Sequence, residues 1–71
     1  MYLKPKVKEI VRRREEAALS QHQLSRKAKL GSSAIYRIEA EVSKSTHHLR
    51  AKEIADALHC KVEDIFEEVI R

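Results

Sequence analysis

The segment from Leu19 to Glu39, LSQHQLSRKAKLGSSAIYRIE, constrains the fold of this chain more than any other. It predicts two short helices separated by a tight turn, the first capped by Ser20 and the second opened by Gly31 and Ser32. The positions that recur at helical spacing, and should therefore face inward, are Leu24, Ala28, Ile35 and Ile38. Each helix spans about two turns, well below the roughly 12 to 15 residues at which an isolated helix becomes marginally stable in water. The rest of the chain must therefore cover their apolar faces.

The composition favours helices in the rest of the chain as well. Its 71 residues contain one Gly, one Pro and no Trp, and good helix formers such as Ala, Leu, Glu, Lys and Arg are abundant. No run alternates apolar and polar residues in the way a half-buried strand does. A chain of this length has room for one small core. We therefore expect residues 1–71 to form a single all-α domain.

Helical periodicity predicts five helices, at about residues 5–17, 21–28, 32–40, 49–58 and 62–69. Pro5 falls in the first turn of the first helix, where its missing N–H costs nothing. In the last helix, Ile65 and Phe66 should help to fill the core. Val69 and Ile70 lie beyond the point where a compact domain closes, and they form either a dimer contact or a frayed end.

One charged residue continues the apolar stripe of the first helix. Val7, Ile10 and Val11 recur at helical spacing, and Arg14 occupies the next inward position. Either an acidic partner holds the Arg14 guanidinium, or its aliphatic stem lies along the edge of the core while the head stays in water. The residues of this helix alone leave both explanations open.

Charge and cysteine content narrow the function classes. Fifteen Lys and Arg against eleven Asp and Glu give a net charge of +4, which suits a polyanionic partner but is common in ordinary soluble proteins. The single cysteine, Cys60, excludes an internal disulfide, and no apolar run is long enough for a membrane span. We therefore expect a cytoplasmic protein that does not enter a membrane.

Catalytic and metal-binding patterns are missing from the sequence. It has no glycine-rich phosphate loop and no Ser, His and acid arrangement that short helices would bring together. The histidines and Cys60 lack the ligand spacing of zinc sites. We expect neither an enzyme nor a metal, a cofactor or a small-molecule ligand.

Three fragments in a fixed order are similar to a known family. RREEAALSQHQLSRKA, SSAIYRIE and IADALHCKVEDIF resemble the phage-repressor and Cro-like helix-turn-helix proteins, also called the Xre family, over Val7 to Phe66. The resemblance implies a compact five-helix bundle of the lambda-repressor type. In that bundle the second and third helices form the helix-turn-helix, and the third helix lies in the major groove of DNA.

The resemblance also answers the question of Arg14. It implies an ion pair between Arg14 and Glu39 that ties the first helix to the third, and helical spacing independently puts Glu39 towards the core. Some positions depart from the family pattern. Lys29 stands at the turn where relatives usually have glycine, and a lysine there in the left-handed region costs about 1 kcal/mol.

The third helix offers an outward face to DNA. The candidates for reading bases are Ser32, Ser33, Tyr36 and Arg37. Arg37 is long enough to bind guanine O6 and N7 with both arms, or it binds a phosphate instead. The candidates for phosphate contacts are Gln21, by its match to a family glutamine, and Lys44, His47, His48 and Arg50, although a polar loop of this kind is often simply solvated.

These features predict a sequence-specific regulator of transcription that binds double-stranded DNA. One domain reads only a few base pairs, so we expect a homodimer, formed through Val69 and Ile70, on a palindromic operator with half-sites about 34 Å apart. Repression is favoured, although occupancy of a promoter is also compatible with activation. The alternative is an antitoxin or an accessory phage or mobile-element protein whose main partner is another protein.

Overall fold

The computed structural model describes residues 2–68 of the chain. In chain order the elements are β1 (Tyr2–Pro5), α1 (Val7–Glu16), α2 (Gln21–Lys27), α3 (Ala34–Glu39), β2 (Thr46–His47), α4 (His48–Ala57), α5 (Val62–Ile65) and β3 (Phe66–Glu68). The expectation of five helices in one small compact unit is confirmed. The expectation of an all-α fold is wrong, because the three short strands form an antiparallel sheet in the order β2-β1-β3.

The strand β1 is the centre of this sheet. Its start pairs with β2, where Tyr2 lies opposite His47, and its end pairs with β3, where Pro5 lies opposite Phe66. Side chains along β1 alternate between exposed and buried, a strand pattern only four residues long. Pro5 was expected to open the first helix but ends β1 instead, and the Lys6 N–H donates to the Ile65 carbonyl at 2.8 Å.

The C-terminal segment also differs from the prediction. The helix expected over 62–69 stops at Ile65, and Phe66 adopts extended backbone angles (φ −138°, ψ 156°). Phe66 still fills the core, with 1% of its surface exposed. Pairing of β3 with β1 satisfies the backbone here, and tertiary pairing of this kind overrides local periodicity. Val69 and Ile70, the expected dimer contacts, lie outside the described residues.

The remaining helix boundaries are close to the prediction. α1, α2 and α4 begin and end within two residues of the expected positions, a difference of no consequence at helix ends. α3 begins at Ala34, so Ser32 and Ser33 lie in the turn before it. The cap expected at Ser20 is confirmed: the Gln23 N–H donates to Ser20 Oγ at 3.0 Å, and the Ser20 N–H donates to Gln23 Oε1 at 2.8 Å.

The core draws side chains from every helix and from the sheet. The inward positions expected for α2 and α3 are confirmed, since all four are less than 5% exposed. The largest fully buried apolar side chains are Phe66, Ile10, Leu24, Ile35, Ile54 and Ile65. α4 packs against α2 and α1 packs against α3, and these two longer helices supply the cover that the short pair requires.

Four helices end with a left-handed residue that is not glycine. The residue just after the C-cap of α1, α2, α3 and α4 has a positive φ between 55° and 62°, and these residues are Ala18, Lys29, Glu41 and His59. After α2, the next N–H, that of Leu30, donates to the Ser25 carbonyl at 2.9 Å, and an equivalent bond closes each of the other three helices. None of the four residues is glycine, so each carries a steric cost of about 1–2 kcal/mol.

Replacing Lys29 with glycine should therefore stabilise the protein. Relief of the left-handed strain outweighs the added entropy of the unfolded chain, so we expect a gain of about 0.5–1 kcal/mol in the free energy of unfolding, measured by urea denaturation. Lys27→Gly is the matched control, because Lys27 lies within α2 at negative φ and glycine there should cost about 0.5–1 kcal/mol. Equal effects of the two substitutions would contradict this explanation.

Candidate nucleic-acid interface

A buried serine on α2 makes a hydrogen bond to the backbone of α3. Ser25 lies on the inner face of α2 and is fully buried. Its hydroxyl donates to the Gln21 carbonyl at 2.8 Å and accepts from the Ile35 N–H at 3.1 Å. Ile35 is in the first turn of α3, and Ser33, at the N-cap position of α3, makes no side-chain cap bond. Ser25 therefore caps α3 from the neighbouring helix and holds the two helices together.

Ser25→Ala should destabilise the protein by about 1–3 kcal/mol, because the buried Ile35 N–H would lose its acceptor. Ser33→Ala serves as the control. It removes the serine from the ordinary cap position of α3, and since that hydroxyl makes no cap bond, we expect a change within about 0.5 kcal/mol. Urea denaturation of both variants measures the difference, and a larger loss for Ser33→Ala would refute the role given to Ser25.

A second polar cluster ties the ends of three helices together. Arg14 Nε donates to Glu39 Oε2 at 2.7 Å and Arg14 Nη2 donates to Glu39 Oε1 at 3.1 Å, so the ion pair is bidentate. Arg14 Nη1 also donates to the Leu19 carbonyl at 2.9 Å. The side chains of Arg14 and Glu39 are only 14% and 7% exposed. The hydrogen bonds that Arg14 donates to Glu39 raise the pKa of Arg14, against the opposing effect of burial.

Gln21 belongs to the same cluster. Its Nε2 donates to Glu39 Oε1 at 2.8 Å, and its side chain is half-buried at the start of α2. Gln21 was expected to bind a phosphate, and the structure instead gives its amide a carboxylate partner. An amide nitrogen carries two hydrogens, so one donor of Gln21 remains for such a contact.

The outer face of α3 brings the expected base-reading residues together. Ile35 and Ile38 are buried, which turns Tyr36 and Arg37 to the outside. Tyr36 is 55% exposed, and Ser32 and Ser33 are exposed in the turn just before the helix. The exposed side chains at the N-terminal end of this face are therefore short, and the two in its middle are long and polar.

Beside α3, a cationic depression of about 460 Å³ opens towards the start of α4. Its basic lining residues are Arg37 from α3, His47 from β2 and Arg50 from the first turn of α4. Thr46 also lines it, and the buried Thr46 Oγ1 has no hydrogen-bond partner within residues 2–68. No Asp or Glu is among the described residues that line the depression. The depression is therefore positively charged, and its lining includes the Thr46 hydroxyl, which has no partner among the described residues.

His47 caps α4 through its ring. The Leu49 N–H donates to His47 Nδ1 at 3.2 Å. The ring packs edge-on against Tyr2, with centroids 5.4 Å apart, and stacks on His48 at 4.5 Å. Burial lowers the pKa of His47, and positive charge on His48, on the chain's amino terminus and on Arg50 lowers it further.

The other phosphate candidate, Lys44, is exposed but lies outside this depression. It lines a neighbouring depression together with Lys4 and Glu41. The structure thus brings Arg37, His47 and Arg50 together, with His48 stacked on His47, and sets Lys44 apart.

The basic residues divide into paired and unpaired groups. Arg12 contacts Glu9 at 2.6 Å and Glu16 at 3.1 Å, and Lys4 lies 4.0 Å from Glu67. In the part of the chain that the structure describes, Arg37, Lys44 and Arg50 make no ion pair with a carboxylate. The uncompensated positive charge near α3 and the start of α4 is what a polyanion would contact.

Sequence reasoning missed three contributors to this surface. Ser25 was not among the residues singled out, although a polar side chain at an inward position is itself a signal of a buried hydrogen bond. Tyr2 and Thr46 were missed because the pairing of β1 with β2 was not expected. No local pattern in the four residues of β1 indicates which distant segment they will pair with.

No protein-family model matches this sequence, and no curated protein is significantly similar to it. Within residues 2–68, no helix has the length and apolar character needed to cross a membrane. No three His, Cys, Asp or Glu side chains among the same residues are grouped so as to hold a metal ion.

Proposed function

We propose that this protein is a sequence-specific, double-stranded-DNA-binding regulator of transcription, in which α2 and α3 act as a helix-turn-helix. The observation that carries the proposal is the exposed polar face of α3 directly beside a depression whose lining, among residues 2–68, includes Arg37 and Arg50 and no acidic side chain. The resemblance of the sequence to phage-repressor and Cro-like proteins supports the same conclusion.

In the proposed complex, α3 enters the major groove, which is wide enough for one helix. Ser32 and Ser33 are short and allow the start of the helix to approach the base edges. Tyr36 and Arg37 reach further, and Arg37 makes the main specific contact, to guanine O6 and N7.

The phosphates are held on both sides of α3. His47, His48 and Arg50 contact one strand at the start of α4, where the free N–H groups of a ten-residue helix also favour an anion. Lys44 contacts the backbone from the loop after α3, and Gln21 contacts it from the start of α2. These contacts fix the register of α3 on the duplex without reading the sequence.

A homodimer completes the proposal. One α3 reads only a few base pairs, and two copies related by a two-fold axis read two half-sites about 34 Å apart. The segment with Val69 and Ile70 is the proposed contact. Sedimentation velocity on the intact chain and on a Val69→Asp/Ile70→Asp variant tests it, with a shift to monomer expected for the variant.

Binding of fluorescent duplex DNA as a function of salt concentration tests the proposed function. We expect affinity to fall steeply as salt rises, because phosphate contacts release counterions. Lys44→Ala should weaken binding to every sequence alike and lower the slope by about one ion. Lys52→Ala is the control, since Lys52 is already 3.5 Å from Asp56. No saturable binding at low salt would refute the proposal.

A further inference from the structure

The cap on α4 requires His47 to be neutral. Because His47 Nδ1 accepts the Leu49 N–H, the ring proton of the neutral form must be on Nε2. A second proton can only be added at Nδ1. Once it is there, Nδ1 no longer accepts the Leu49 N–H, so capping of α4 and protonation of His47 exclude each other.

The surroundings of His47 also disfavour the charged form in the absence of a ligand. Tyr2 from β1 packs edge-on against the ring, His48 stacks on it, and Arg50 is in the first turn of α4. Arg37 from α3 lines the same depression, with no carboxylate among its described lining residues. The start of α4 adds a further partial positive charge. The lowered pKa of His47 agrees with these contacts.

A phosphate group in the depression would reverse both effects. Its negative charge favours the imidazolium, and its oxygens accept from the protonated Nδ1 and from the Leu49 N–H that His47 releases. Thr46, whose buried hydroxyl has no hydrogen-bond partner within residues 2–68, also lies in the lining.

We propose that seating a DNA phosphodiester in the depression between α3 and α4 is coupled to the uptake of one proton by His47, so that DNA affinity rises as pH falls. This inference rests on the proposed function. The proton comes from solvent and is bound at Nδ1, and it leaves again when the DNA dissociates. By linkage, affinity then changes by up to tenfold per pH unit between the pKa values of the free and bound states.

The test is the affinity for one labelled duplex between pH 5.5 and 7.5, at fixed ionic strength, with far-UV circular dichroism to show that the protein stays folded. We expect wild-type affinity to increase by about three- to tenfold towards pH 5.5. His47→Asn keeps a side chain that caps α4 but does not titrate, so its affinity should change less with pH than that of wild type. His22→Asn, on the exposed side of α2, should behave as wild type.

A second measurement follows His47 directly. The pKa of its ring, read from an NMR titration of the C2 proton, should rise when the duplex is added. Parallel pH profiles for wild type and His47→Asn, or an unchanged His47 pKa with DNA bound, would overturn the coupling while leaving the proposed function intact. A shift caused by inorganic phosphate but not by the duplex would also overturn it. Failure of every variant to bind DNA would overturn both proposals.

Discussion

Arg14→Ala should lower the free energy of unfolding by about 3–5 kcal/mol, the largest effect we expect from any single substitution. The change would leave the Glu39 carboxylate 93% buried without its cation, since only 7% of that side chain is exposed. It would also remove the donor that holds the Leu19 carbonyl at the end of α1. A 71-residue domain has a total stability of roughly 4–11 kcal/mol, so the loss is a large part of it.

Urea denaturation followed by circular dichroism measures this effect. Arg12→Ala is the matched control, because Arg12 contacts two carboxylates on the surface of α1 and exposed pairs contribute about 0–1 kcal/mol. If Arg14→Ala does not fold, Arg14→Lys keeps the charge and loses the bidentate geometry, and it should fold with lower stability than wild type. Equal stabilities for Arg12→Ala and Arg14→Ala would contradict the structural role of the Arg14–Glu39 pair.

Arg37→Ala should weaken binding to the preferred DNA site by about 1–3 kcal/mol, or roughly 5- to 150-fold, and relax the preference at one base pair. Stability should change little, because Arg37 is exposed and makes no ion pair among residues 2–68. Fluorescence anisotropy on the preferred duplex and on single-base variants of it gives both quantities.

Arg12→Ala again supplies the control for Arg37→Ala, since Arg12 is held by carboxylates on α1 and should not affect DNA binding. An equal loss on every duplex would show that Arg37 binds a phosphate and does not read a base. Arg37 lines the cationic depression, so a phosphate contact is the outcome that competes with base reading.

The parts of the fold that follow from local pattern were predictable from the sequence. Apolar spacing gave the buried positions of α2 and α3, and Ser20 as the N-cap gave the start of α2. The inward position of Arg14 alone left open whether its head is paired or solvated, and the pairing with Glu39 was expected from the resemblance to phage-repressor proteins.

The sheet was not predictable in this way. β1 has four residues, and it pairs with segments more than forty and sixty positions away in the chain. Over Val62 to Phe66 the apolar spacing fits a helix and a helix followed by a strand equally well. Pairing with β1 decides between these two structures, and the local sequence gives no information about that tertiary pairing.

The candidate site also has one part that the sequence predicts and one part that depends on tertiary pairing. The exposed face of α3 follows from helical spacing, so Tyr36 and Arg37 could be identified as its outward residues. The depression beside it depends on β2, which sets His47 next to Tyr2 and Thr46 in its lining. The bond from Gln21 to Glu39 could not be predicted, because it depends on how α1, α2 and α3 meet.

The most direct test of α3 as a DNA-reading helix is selection of bound sequences from a random pool of duplex DNA, run in parallel with wild type and Arg37→Ala. The wild-type pool should converge on a palindrome with half-site centres about 10 base pairs apart, one turn of the duplex. The Arg37→Ala pool should lose the preference at one position of each half-site. A wild-type pool no more enriched than a pool selected without protein would contradict the account.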